Sequence, residues 1–183
     1  MNTTQEDQIL EAAYTCIARE GYANVSLRQI AQEADVAVSQ ISYHFKNKEG
    51  LLLAVISQAA ERYNKLLQEN LALSESHAEK GHRLIALFKD ALLQERSLFK
   101  VIYDSAGLAL FSETFRVKMR EVFSGIMEQI VQEIEAVAHS DSEAAMISRL
   151  VFSLYLGTAI QYLLEPEDPA VLGSLDLLER LFK

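Results

Sequence analysis

A chain of 183 residues, half of them hydrophobic, can bury a sizeable core as one large or two small domains. Only two prolines and seven glycines punctuate it, and Ala, Leu, Glu and Gln dominate, so the composition points to an all-α fold without linkers, repeats or low-complexity runs. The single cysteine excludes an intrachain disulfide framework or a cysteine metal cluster, and a formal charge of −9 argues against a binder that relies on bulk positive charge.

The first predicted helix runs from about Glu6 to Glu20, with Ile9, Ala13, Cys16 and Ile17 on one face and Gly21 as its C-terminal cap. Cys16 on that stripe reads as an inert buried thiol, which suits a reducing cytoplasm. Tyr22 and Val25 fold back onto the helix. Ser26 followed by Gln29 is a capping box, and Leu27, Ile30, Ala31 and Ala34 continue at helical spacing. The chain must turn at Asp35. A short third helix then runs from Val38 to Phe45, with Ile41 and Phe45 inward and Ser39, Gln40, Ser42, Tyr43 and His44 outward. A helix that spends its outer face on hydrogen-bonding side chains builds a poor core, but it suits a DNA major groove.

Charge opposes this reading in part, because the first fifty residues hold four Lys/Arg against seven Asp/Glu. The positive groups that exist are well placed: Arg28 in the first turn of the second helix, and Lys46 and Lys48 flanking Asn47, which caps the fourth. Helix N-termini at Ser26 and Asn47 add aimed N–H donors. Binding should then be specific and should depend on few phosphate contacts.

The fourth helix is expected from Asn47 towards Leu73, a stiff strut without Gly or Pro after Leu51. Ser74 to Gly81 reads as a polar linker. Helices follow over His82–Glu95, Ser97–Leu110, Ser112–Ala138, Glu143–Leu164 (capped by Ser142) and Pro169 or Ala170–Phe182. The uncharged run Leu150–Leu164 is shorter than the roughly 20 residues a membrane span needs, and the polar N-terminus is no signal peptide, so no membrane partner is expected. The last two helices carry more apolar surface than one subunit can hide. A twofold four-helix bundle is the economical solution, with Leu150, Leu154, Gly157, Gln161, Leu164, Leu175 and Leu178 at the seam.

The runs Ile9-Leu10-Glu11-Ala12-Ala13, Arg19-Glu20-Gly21-Tyr22, Ser26-Leu27-Arg28-Gln29-Ile30-Ala31, Val36 and Ile41-Ser42-Tyr43-His44-Phe45-Lys46-Asn47-Lys48-Glu49-Gly50-Leu51-Leu52 resemble the N-terminal domain of TetR/AcrR-type transcriptional regulators. The resemblance covers roughly the first fifty-five residues. It implies a helix-turn-helix DNA-binding domain over 1–50, and a helical effector-binding and dimerisation domain over 51–183. It also implies a homodimer on a palindromic operator, released when a small molecule swings the fourth helix. Carried over, Ser26 and Arg28 meet the backbone or groove edge; Val38, Ser39, Gln40 and Tyr43 meet bases or the sugar edge; His44 and Lys48 meet phosphates. Ser42 stands where the family often has an aromatic residue, and Asp35 where it has a turn glycine.

Gln40 can pair with adenine through two hydrogen bonds. An effector cavity is sought among Phe88, Leu92, Phe99, Tyr103, Phe111, Phe115, Met119, Phe123, Phe152 and Tyr155, each of which could equally be plain core; the ligand would be hydrophobic or amphipathic. The histidines at 44, 77, 82 and 139 show no metal-ligand spacing, and no nucleophile–base pairing or phosphate loop suggests an enzyme, so no cofactor is expected. Two rivals stay open: an activator or partner-controlled regulator without a pocket, and a helical interaction module that has lost DNA binding.

Overall fold

The computed structural model describes residues 4–71, 77–134 and 138–178. Among them are nine helices and no strand: α1 (Gln5–Glu20), α2 (Leu27–Glu33), α3 (Val38–Phe45), α4 (Lys48–Leu71), α5 (His77–Gln94), α6 (Arg96–Ala109), α7 (Glu113–Ile134), α8 (Asp141–Leu164) and α9 (Pro169–Leu178). The all-α architecture is as expected. Several boundaries moved. Within the expected linker, residues 77–81 begin α5 instead. α8 starts at Asp141 because Ser140, not Ser142, accepts from the Glu143 amide at 3.2 Å. The expected helix ends beyond Leu71, Ile134 and Leu178 fall at or next to residues outside those described.

Two compact units form, Met1–Glu61 with Lys100–Arg120, and Arg62–Phe99 with Glu121–Lys183. In the first, α1 opens on a capping box between Thr4 and Asp7 that the sequence reading missed. The Thr4 hydroxyl and amide holding its carboxylate keep Asp7 below its usual pKa. Ile9, Ala13, Cys16 and Ile17 are buried as expected, together with Val25, Ile30, Ala31, Ile41, Leu51, Leu52 and Val55. The Cys16 thiol is pushed up by burial and then by Glu33, consistent with an inert packing role. Gly21 closes α1 at φ +81°, a conformation that side chains rarely adopt. Asp35 takes the α2–α3 turn at φ +52°, and the Val36 amide reaches back to the Ala31 carbonyl at 2.9 Å.

The second unit is organised around α8. Its buried face includes Ala144, Ser148, Val151, Phe152, Tyr155, Ala159 and Tyr162, and it packs with α5 and α9. Tyr155 stacks on Phe88 at 3.9 Å between centroids and receives Phe99 edge-on at 5.6 Å. Its hydroxyl shares a 3.1 Å hydrogen bond with that of Tyr63, whose complete burial raises its pKa. The opposite face of α8 is bare: Met146, Leu150, Leu154 and Leu164 are each more than half exposed. The length argument against a membrane span fails, because α8 extends back to Asp141 and is long and apolar enough to cross one by length and composition. A core helix packed on one face meets the same criterion.

Candidate nucleic-acid interface

The helix-turn-helix is built from local rules. Ser26 caps α2 by accepting from the Gln29 amide at 3.2 Å, while its own amide and hydroxyl both donate to Gln29 Oε1 at 2.7 Å. The hydroxyl proton of Ser26 is thus committed to the cap, although the residue is exposed. Ile41 and Phe45 pin α3 to the core at 0% and 7% exposure. This leaves Val38, Ser39, Ser42, Tyr43 and Lys46 exposed and Gln40 half-buried. Tyr43 is 81% exposed, an unusual position for a large aromatic ring that is not awaiting a partner. No side chain caps the N-terminus of α3 at Ala37.

Beyond α3 the chain reverses tightly. Lys46 sits at φ +67°, and Asn47 caps α4 by accepting from the Gly50 amide at 2.8 Å. A Cβ at Gly50 would lie 2.3 Å from the Phe45 carbonyl oxygen, so only glycine lets α4 start this close behind α3.

The positive groups are not all where the sequence placed them. Arg28 and Lys46 are exposed. His44 is half-buried, its ring edge-on to Tyr43 at 5.2 Å, with Nδ1 3.8 Å from a Glu6 carboxylate oxygen. Lys48, expected at a phosphate, instead donates to the Tyr22 carbonyl and lies over the Tyr22 ring at 4.2 Å. Burial lowers its pKa, and Asp104 offsets that in part. Sequence reasoning missed the pairing of Asp104 with Tyr22, because the partners lie 82 residues apart and carry no local signature.

Around this face the surface is acidic. A groove of about 400 Å³ between α1 and α2 is lined by Asp7, Glu11, Glu33 and Asp35 among others, which suits neither phosphate nor, among the described residues, a metal. On this face the groups left open to DNA include the outer side chains of α3 and the exposed cations Arg28 and Lys46.

Other expected sites fare unevenly. Phe88, Leu92, Phe99, Phe152 and Tyr155 are buried in the second unit, and Phe123 lies edge-on to Phe152 at 5.1 Å. Tyr103 is half-buried. Phe115 and Met119 are buried in the first unit, Phe115 against Tyr22. Phe111 cannot line a cavity: it sits at the α6–α7 turn, 91% exposed, because the chain reverses there and turns the ring outward. At the expected dimer seam Leu150, Leu154, Gln161 and Leu164 are exposed, and a Cβ on Gly157 would meet nothing. Leu175 is 1% exposed and belongs to the subunit's own core. The Leu178 side chain lies outside the described residues.

The family model described as "Bacterial regulatory proteins, tetR family" matches residues 9–55, the stretch that forms α1 to the start of α4. A probable HTH-type transcriptional regulator, YttP, of Bacillus subtilis is 32% identical over 137 residues, covering 70% of this chain and 66% of that one, just under two thirds of its length. This chain belongs to the TetR family. The regulator is also 23% identical over 168 residues to the nicotine-responsive transcriptional repressor HdnoR of Paenarthrobacter nicotinovorans, covering 90% and 87% of the two chains. A crystal structure of a TetR regulator from Legionella pneumophila superposes at a TM-score of 0.83 with 21% identity over the whole of both chains, which shows the shared fold. The regulator is thus a transcriptional regulator with a helix-turn-helix, and not an enzyme.

Proposed function

We propose that the regulator is a cytoplasmic homodimer that represses transcription from a palindromic operator and is released by a small hydrophobic or amphipathic ligand. Residues 1–50 read DNA, and residues 51–183 take the effector and dimerise. The observation that carries the DNA role is α3: an eight-residue helix anchored by Ile41 and Phe45, whose Ser39, Ser42 and Tyr43 are left to solvent. Gln40, Ser39, Tyr43 and Val38 meet base edges, while Arg28, Lys46, Ser42 and His44 position the backbone.

Repression and ligand response are supported by the likeness to a nicotine-responsive repressor. The second unit supports an aromatic binding region around Phe88, Phe99, Phe123, Phe152 and Tyr155, with Leu92 beside them. Dimerisation is supported by the exposed leucines of α8 and by the open surface over Gly157.

The test selects duplexes from a random-sequence pool with the wild-type protein and measures affinity for the recovered site across salt concentrations. A palindromic site is expected, with a shallow salt dependence of about −0.9 in log–log slope for each of a few phosphates neutralised. Gln40→Ala should lose about 1–3 kcal/mol of discrimination at one base pair in each half-site. Recovery of no preferred sequence would instead favour an interaction module without DNA binding.

A further inference from the structure

Tyr22, in the turn between α1 and α2, is gripped from three later helices at once. Its amide donates to Asp104 Oδ2 of α6 at 2.5 Å. Its carbonyl accepts from Lys48 Nζ of α4, which also lies over its ring. Phe115 of α7 meets that ring edge-on, with centroids 6.2 Å apart and planes at 69°. All four residues belong to the first compact unit.

A turn at the surface needs no such partners, since water satisfies its amide and carbonyl. Here both backbone groups of one residue are held by charged side chains, drawn from 26 and 82 residues away. Tyr22 is only four positions before Ser26, the cap of α2. Fixing both of its peptide groups fixes the direction in which the chain enters α2, and α2 carries α3 with it through shared core contacts. Gly21 precedes Tyr22 on a backbone at φ +81°, where an L side chain would be strained.

We propose that Lys48 and Asp104 are positioning residues for DNA recognition, clamping Tyr22 so that α4 and α6 set how the α2–α3 pair is presented to the groove. Lys48 spends its charge on the protein, not on a phosphate. Asp104 lies beyond residue 50 in sequence but in the same compact unit as the reading helices, so the clamp is internal to that unit. The proposal rests on the DNA-binding role argued above.

The experiment compares wild type, Asp104→Ala, Asp104→Asn, Lys48→Met and the Asp104→Ala/Lys48→Met double variant on the selected duplex over a range of salt concentrations. Amide exchange at Tyr22 is measured in parallel. Loss of a hydrogen bond to a charged group predicts affinity weakened about tenfold or more in each of Asp104→Ala and Lys48→Met. The double variant should be no weaker than the worse single one, since both act on one residue. Asp104→Asn keeps an acceptor for the Tyr22 amide and should restore most of the affinity. All salt slopes should match wild type. A Lys48→Met slope shallower by about 0.9, with Asp104→Ala binding as wild type, would mark Lys48 as a phosphate ligand and overturn the clamp. Should wild type select no duplex, the DNA-binding role fails on its own account. The clamp is then judged on exchange: about tenfold faster exchange at Tyr22 in Asp104→Ala supports it, and unchanged exchange refutes it.

Discussion

Single residues in this regulator do work that no substitution table would assign them. Gly50 is the sharpest case. Its backbone is helical, where alanine is ordinarily the better residue, yet a Cβ would fall 2.3 Å from the Phe45 carbonyl oxygen. Backbone oxygen cannot swing aside as a side-chain tip can. Gly50→Ala should therefore destabilise the fold by about 1–3 kcal/mol, the range for overpacking, read from chemical denaturation at unchanged m-value. Asp35 was legible as a turn residue from its type alone, and it does adopt the left-handed conformation. Lys48 was not legible, because a lysine beside a helix-turn-helix reads as a phosphate ligand until Tyr22 is seen under it.

Elements obey their local signals wherever those signals are short-range. The Ser26–Gln29 capping box and the Asn47 cap were readable because both partners sit within one turn. Removing the first, Ser26→Ala, should cost about 1 kcal/mol of stability, measured by thermal or denaturant unfolding. A Ser26→Ala protein of wild-type stability would mean that α2 is held by packing alone. The start of α5 went unread for the opposite reason. His77-Ala-Glu-Lys-Gly carries no recognisable cap and holds a glycine, so its composition looks like a loop. Packing decided otherwise, with Gly81 buried and Leu84, Ile85 and Phe88 at 1% exposure or less.

Over the whole molecule, the open question is how the bare face of α8 is covered. Met146, Leu150, Leu154 and Leu164 recur along that face, and at 51–74% exposure they form an apolar stripe that a lone soluble chain would leave to water. Gly157 lies on α8 where a new side chain meets nothing within the subunit. Gly157→Glu is consequently a suitable probe, since the first atom of the new side chain meets nothing among the described residues of the subunit. Sedimentation should show the wild type as a dimer and the variant as a monomer. The wild type's melting temperature should also rise with protein concentration while that of the variant does not. A variant that remains dimeric would move the seam elsewhere.

What the amino-acid order settled unaided was periodicity and punctuation: all-α class, the capped α2, the turn at Asp35, and the α3 face that stays wet. Each depends on residues a few positions apart, where geometry is dictated by the chain itself. The tertiary structure decided which apolar side chains found cover, so that Leu175 went inside while Leu150 stayed out and Phe111 was turned to solvent. It also decided that a cation and a carboxylate from distant helices meet on Tyr22. Those outcomes depend on contacts between segments far apart in sequence, and only the folded packing of the helices determines them.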